Sequence, residues 1–271
     1  MAGAIIVTGP SSCGKGEISK ALCERLAIPA ERWLSMGTIL RAVCEGTCDD
    51  TFIAELEARH AISDVVPIFA TTDITEALSE KIERHKSGLT KMFAARSGRR
   101  MRPAGWRTTT ALDWLEYCTS HGLLVPNRWT QELIATRIAE VAQPPSGSLI
   151  FDGYPRTPSA AKHLLDTLES LAIPVWKVLH LSISKQEMLH RAVLRRRGDD
   201  DANALLKRYE FYVDSVQPSV DYMKDRLGSG SVALIDAHQP SYDMKDGARV
   251  LNLARSIGNV VRASLAALAV A

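Results

Sequence analysis

Residues 5–17, IIVTGPSSCGKGE, decide how the rest of the chain is read. Ile5, Ile6 and Val7 form a β-branched run that stops at Gly9. A loop of small residues then ends in Gly14-Lys15-Gly16, and Ile18, Ala21, Leu22 and Leu26 follow at helical spacing. Strand, glycine-bounded loop and helix in that order build a cradle for an anion. Small residues let the backbone wrap closely with its N–H groups inward, and the helix start adds partial positive charge. A lysine at the helix entrance reaches toward the outer phosphates of a nucleotide. An ordinary glycine-rich strand–helix turn would explain the glycines but not Lys15.

Gly9 to Lys15 fits the G-x-x-x-x-G-K phosphate-loop pattern known as Walker A, with Gly16 where Ser or Thr ordinarily follows. Cys13 lies inside the loop and reads as a small residue contributing its backbone N–H, with an oxidation-sensitive thiol as the alternative.

The chain has 271 residues, enough for one large domain or a core with a sizeable insertion. Nearly half the residues are hydrophobic and the formal charge is +2, so overall charge argues for neither a nucleic acid nor a membrane partner. No apolar run is long enough to span a bilayer. The apolar stretch Ala4 to Val7 is only strand-length, so no export leader is read there. Cys13, Cys23, Cys44, Cys48 and Cys118 are scattered, without a C-x-x-C pair. That pattern suits free thiols in a reducing cytoplasm and gives no set of ligands for a structural zinc.

Beyond the loop, strands and helices alternate. Trp33-Leu34-Ser35 is a short strand, and Ser35 to Arg41 turns into a second helix. Residues 45–120 look helical and polar, apart from a basic loop, Lys91 to Arg107, interrupted by Gly98, Pro103 and Gly105. Gly122 to Pro126 is extended, and Thr130 to Val141 is an amphipathic helix. Ser148 to Asp152 is a buried strand ending in a carboxylate, followed by Gly153-Tyr154-Pro155-Arg156. Then come a helix from Ala160 to Leu171, a strand from Val175 to Leu181, and a helix from Lys185 to Arg197 ending in three arginines. A long helix from Leu205 to Met223 kinks at Pro218, Ser231 to Ile235 is the last strand, and Lys245 to Val270 reads as helix. Such alternation implies parallel pairing in an α/β sheet with helices on both faces. Ligands of these sheets sit at the carboxyl ends of the strands.

The ordered strings Gly9 to Gly16, Leu34 to Ala42 (LSMGTILRA) and Asp152 to Thr157 (DGYPRT) resemble the adenylate kinases and related nucleoside monophosphate kinases. Gly122 to Pro126, Arg195 to Asp200 and Lys207-Arg208-Tyr209 are similar to further segments of that family. The resemblance covers roughly residues 3–43 and 120–225. It implies a P-loop three-layer α/β/α core with a five-stranded parallel sheet, spanning residues 1–43 and 148–271. Residues 44–147 would be an enlarged helical acceptor-binding insertion, and residues 196–203 a very short lid.

The activity implied is transfer of the γ-phosphoryl group of ATP to a nucleoside monophosphate, AMP foremost, with Mg²⁺. Both substrates are polyanions, so positioning and charge neutralisation dominate. On this resemblance Lys15, Arg156, Arg191, Arg195, Arg197 and Arg208 are the catalytic set. Gly9, Ser12, Cys13, Gly14, Gly16 and Glu17, with Lys15, Arg191 and Arg195, would hold ATP. Met36, Gly37, Arg41, Leu124, Val125, Gly153, Arg156 and Ala160 would hold the acceptor. Asp152 would order Mg²⁺ through water. No nucleic acid or membrane partner is implied, and a monomer is expected.

Several positions depart from the family pattern. Glu17 stands where Thr is usual, near the donor phosphates, and would repel them unless turned outward. Met36 and Thr38 replace the usual Thr and Asp, and Ala160 replaces the Gln that reads the acceptor adenine. Buried polar readout is the strong route to base discrimination, so these changes leave the acceptor base open. Two other readings therefore stand: a kinase of the same fold acting on another phosphorylated small molecule or a non-adenine monophosphate, and a catalytically weak nucleotide-binding regulatory protein.

Overall fold

The computed structural model describes residues 3–45, 54, 58, 82–85, 87–89, 91, 111–121, 123, 125–142, 147–195 and 202–269. Most of the basic run at 91–107 and most of the lid at 196–203 lie outside the described residues. The chain divides into two compact units, residues 1–36 with 137–271, and residues 37–136.

The first unit is built on five parallel strands, β1 Ala4–Thr8, β2 Trp33–Ser35, β3 Leu149–Asp152, β4 Val175–Ser182 and β5 Val232–Asp236, in the order β2-β3-β1-β4-β5. The sheet is an α/β, P-loop-like core with helices packed around it. β1 lies at its centre and is buried along its whole length, which explains the unbroken AIIVT run. The register lines up the strand ends: Asp152 pairs with both Val7 and Ser35, His180 with Thr8, and Asp236 with Ser182.

Helix α1 (Lys15–Arg25) leaves the loop after β1, and α2 (Met36–Glu45) starts directly after β2. Helix α5 (Pro158–Ser170) follows β3, and α6 (Lys185–Arg195) follows β4. A continuous helical path then runs through α7 (Ala202–Phe211), a π-helical turn (Tyr212–Val216) and α8 (Gln217–Leu227), with Pro218 at the start of α8. Ile5, Val7, Ile150, Leu179 and Leu181 of the sheet pack with Ile18 and Leu22 of α1 and with Val260, Val261 and Leu268 of the last helix.

The chain after β5 corrects one sequence expectation. Lys245 to Val270 is not all helix: β6 (Tyr242–Lys245) and β7 (Ala248–Leu251) form an antiparallel hairpin, and the last helix, α9, is Leu253–Ala269. Asp246 and Gly247 both have positive φ, 50° and 77°, as a two-residue hairpin turn requires.

The second unit holds α3 (Ala111–Ser120) and most of α4 (Asn127–Val141). Its core gathers Ile82, Leu89, Trp114, Tyr117 and Cys118 against Leu123, Val125 and Trp129. Trp114 and Tyr117 stack with ring centres 5.7 Å apart, and Tyr117 stacks on His121 at 4.0 Å.

Candidate functional site

Gly9 and Gly14 shape the loop. Gly9 has φ 143°, and a Cβ there would stand 2.3 Å from the carbonyl oxygen of Leu181 on β4, so the backbones approach where only glycine fits. Gly14 has φ 92° and caps α1, and among the described residues no side chain bonds to the helix start. The first amides of α1 are therefore free of side-chain competition for an anion. Ser12 takes φ 59°, and its Oγ is buried with no partner among the described residues.

Lys15 opens α1, and its ammonium donates to the carbonyls of Gly9 at 2.9 Å and Pro10 at 2.7 Å, with the Cys13 sulfur at 3.7 Å. The cation is thereby held against its own loop. Cys13 is buried and free. Glu17 is exposed in the first turn of α1, where a carboxylate complements the helix dipole.

At the end of β3, Asp152 is 8% exposed, and its Oδ2 lies 3.8 Å from where a Cβ on Gly16 would stand. The carboxylate thus borders the loop. Gly153 has φ 71°, and its carbonyl accepts from Nε of Arg156 at 2.7 Å, folding that side chain back over the turn. Arg156 keeps contact with water at the surface of a dense crevice. The crowding lowers its pKa from the usual arginine range, Asp152 opposes that, and the like charge of Arg208 adds to it. Asp152, Arg156 and Arg208 thus form one electrostatic group beside the loop. Thr157 caps α5 by accepting from the Ala160 N–H at 3.2 Å, with Pro158 in the first turn. The peptide between Tyr154 and Pro155 is cis.

Arg191 sits on α6 in a cluster that its sequence position only half announces. Its Nε donates to Oε1 of Glu187 at 2.6 Å, and its Nη2 donates to the carbonyl of Ala237 at 3.0 Å, just past β5. His238 Nδ1 is 3.3 Å from that Nη2 and 3.1 Å from Oε1 of Glu187. Burial works against ionisation of Glu187, yet bonds and charge from Arg191 and His238 outweigh it and hold the carboxyl below the usual range. Glu187 was findable as the residue four before Arg191 on the same helix face. His238 had no local signal, because its link to Arg191 joins elements 47 residues apart.

Of the other sequence-derived residues, Met36 and Ala160 belong to the first unit and are buried, 2% and 1% exposed. Gly37, Arg41 and Val125 belong to the second unit. There Arg41 is exposed and its Nη2 donates to Thr38 Oγ1 at 3.2 Å. Leu124, Arg197 and the side chain of Arg195 lie outside the described residues.

Among the described residues no group of three His, Cys, Asp or Glu side chains is placed to hold a metal ion. A single carboxylate at a phosphate loop suits a Mg²⁺ that arrives with its nucleotide, because that ion keeps several waters and takes substrate phosphates as ligands. Asp152 fits such an ion. Among the described residues no helix is long and apolar enough to cross a membrane.

No family model matches the chain. Among curated proteins, an adenylate kinase of Mycolicibacterium paratuberculosis (strain ATCC BAA-968 / K-10) is 35% identical over 106 residues, which is 39% of this chain and 58% of that protein. An adenylate kinase of Mycobacterium tuberculosis (strain ATCC 25177 / H37Ra) is 34% identical over the same shares. One of Oenococcus oeni is 31% identical over 117 residues, 43% of this chain and 61% of that protein. The chain therefore spans about three fifths of the length of the curated relatives it matches. Over the matched residues it is similar to adenylate kinases.

Proposed function

We propose that the chain is a nucleoside monophosphate kinase that moves the γ-phosphoryl group of ATP to a monophosphate, AMP foremost. The observation that supports this is the grouping of Asp152, Arg156 and Arg208 beside a glycine loop that carries Lys15 and leads into a helix start with no side-chain cap. A binding module needs a cradle for phosphate. It does not need two further arginines and a carboxylate at the cradle's rim.

In this reading the loop amides and Lys15 hold the donor's β- and γ-phosphates. An anionic oxygen is a better partner for Lys15 than the neutral Gly9 and Pro10 carbonyls that hold it otherwise. Arg156 and Arg41 take the acceptor phosphate, where a planar fork suits a phosphate better than an ammonium does. Arg191, Arg195, Arg197 and Arg208 neutralise charge that builds on the transferring group. Asp152 holds Mg²⁺ through water, and the ion supplies charge neutralisation and alignment of the donor phosphates. The attacking phosphate oxygen is already ionised, so no side chain has to act as a base.

The region from 44 to 147 serves as the acceptor-binding part, the 196–203 segment as a short lid, and the protein works as a monomer in the cytoplasm. Glu17 is spectator charge on this account, because it is exposed.

A second reading, a different phosphorylated acceptor, is favoured by Met36 and Ala160. Both are buried, and neither offers a side-chain donor to read a base. A coupled assay with ATP, Mg²⁺ and a panel of nucleoside monophosphates separates the two. Diphosphate formed from AMP supports the first reading. ATP binding with no turnover of any common monophosphate moves the conclusion to the second.

A further inference from the structure

Helix α6 is fixed about its axis by its own buried face. Met188 and Ala192, four apart, are both fully buried, and Ser184 caps the helix start by accepting the Glu187 N–H at 3.1 Å. Glu187 and Arg191, each one residue earlier, therefore stand together on the neighbouring stripe, where the Arg191 Nε donates to Glu187 Oε1 at 2.6 Å.

The turn after β5 supplies the other side of the cluster, and it is itself held by four bonds. The Ala237 N–H donates to the Ser182 carbonyl on β4 at 2.8 Å. Asp236 accepts twice, at Oδ1 from the His238 N–H and at its carbonyl from Gln239 Nε2, both at 2.8 Å. The Gln239 carbonyl accepts from Asn259 Nδ2 on α9 at 3.3 Å. From this fixed turn the Ala237 carbonyl accepts the Arg191 Nη2 at 3.0 Å, and His238 Nδ1 comes within 3.1 Å of Glu187 Oε1. An ionised carboxylate only accepts, so that contact assigns a proton to Nδ1 of His238. Nδ1 then cannot accept from Arg191, and Nη2 donates to Ala237 alone.

A guanidinium has five N–H groups. Nε and one N–H of Nη2, along the side of the fork, are taken by Glu187 and Ala237. The end of the fork, Nη1 and the outer N–H of Nη2, has no partner among the described residues. The place is near the loop. A Cβ on Gly9 would stand 2.3 Å from the Leu181 carbonyl, one residue before the Ser182 that holds Ala237 from the opposite side of β4. Gly9 and Ala237 are thus about two strand spacings apart, about 10 Å, a span that one nucleotide covers.

We propose that Glu187 and His238 are positioning residues for Arg191: with the Ala237 carbonyl they hold the side of its guanidinium and leave the end of the fork for an anionic group of the nucleotide at Gly9–Gly16. The kinetic consequences rest on the phosphoryl-transfer reading, and the structural ones do not. His238 has the subtler part. It holds the shared oxygen of Glu187 at the side of the fork, so that the carboxylate does not swing round and take the end for itself.

The test is a double-mutant cycle of His238→Ala with Arg191→Ala, read with two probes. In the wild-type background kcat and kcat/KM should fall together by about fivefold, corrected for folded fraction, as expected of a misplaced cation. In the Arg191→Ala background the same change should cost less than about 1.5-fold, since there is then no guanidinium to hold. His238→Asn, which keeps an N–H donor near the place of Nδ1, should recover most of the loss. Equal losses in both backgrounds, no rescue by His238→Asn, or a change in melting temperature alone overturns the proposal. The second probe is solvent exchange of the Arg191 Nε–Hε in ¹⁵N-labelled protein, which needs no turnover. It should quicken about tenfold in His238→Ala, as the bond to Glu187 loosens, and return toward wild type in His238→Asn. If no acceptor is turned over, the proposed function fails while this exchange rate still decides the positioning. An unchanged rate overturns it.

Discussion

Arg156 and Gly153 hold each other: the arginine Nε donates to the glycine carbonyl at 2.7 Å, and its Nη2 lies 3.2 Å from where a Cβ on Gly153 would stand. Gly153→Ala therefore does two things at once. It places an L side chain at φ 71°, costing about 1 kcal/mol, and it pushes the guanidinium off its turn. The melting temperature should drop by a few degrees. Turnover should fall far more than that drop explains, about 10²-fold, because a reactive cation is displaced by a fraction of an ångström. Melting curves and initial rates on the same preparation check this. A rate loss no larger than the loss of folded protein would count against Arg156 at the acceptor phosphate.

Glu187→Gln keeps the shape of the carboxylate and removes its charge. Arg191 then loses its ionic partner while its bond to the Ala237 carbonyl survives. On the proposed role of Arg191, neutralising charge on the transferring group, kcat and kcat/KM should fall together by roughly fivefold with KM for ATP within about twofold, the pattern of an interaction made in the transition state. Steady-state kinetics at saturating acceptor reads it directly.

Glu17→Thr asks whether the exposed carboxylate matters. Because Glu17 is exposed in the first turn of α1, the change should alter turnover by less than about twofold and cost a few tenths of a kcal/mol through the helix dipole. A large gain in phosphoryl transfer would instead mean that Glu17 faces the phosphates and suppresses the reaction.

His180 sets a pH dependence of stability. Its folded-state pKa lies below the ordinary 6.5, so the unfolded chain binds more protons than the folded one on the acid side. The contribution is absent above pH 6.5 and becomes unfavourable as pH falls through 6.5 toward the folded value. Denaturant midpoints measured downward from pH 7.5 should decline in wild type, and the His180→Gln variant should lose part of that decline.

Tyr212, whose hydroxyl lies 2.8 Å from Nε2 of His180, gives a spectroscopic check on the same region. In ultraviolet titration of the folded protein the Tyr212 phenol should ionise late, at about 12, and Tyr212→Phe should remove that step. A full complement of tyrosines titrating at their ordinary values would show the phenol to be open to water.

Local features were legible in the chain, and long-range ones were not. The apolar run before Gly9, the carboxylate closing Leu149–Asp152 and the DGYPRT turn each carry their own structural reason, so the strand ends followed from them. The pairing of His180 with Tyr212 joins residues 32 apart through a strand and a π turn, and nothing in the spacing of either element announces it. The hairpin at the end of the sheet is a different kind of miss. Asp246-Gly247 is a strong turn signal inside the range Lys245 to Val270 that reads as helix, and Met244, Val250 and Leu251 are the apolar residues around it. Their exposure, 67%, 42% and 51%, shows that they are not core positions of any helix.

The strand order has a consequence for how the protein comes into being. β1 carries the phosphate loop and is flanked by β3 and β4, so Val7 meets Asp152, 145 residues later, and Leu179, 172 residues later. During synthesis the AIIVT segment leaves the ribosome with both edges bare and waits, at ordinary elongation rates of ~5–20 residues per second, for on the order of ten seconds or more before either neighbour exists. A short, β-branched, uncharged strand in that condition is a natural client for a holding chaperone. The strand that leads into the Gly9–Gly16 loop is thus the one most exposed to capture by the wrong partner while the chain is being made.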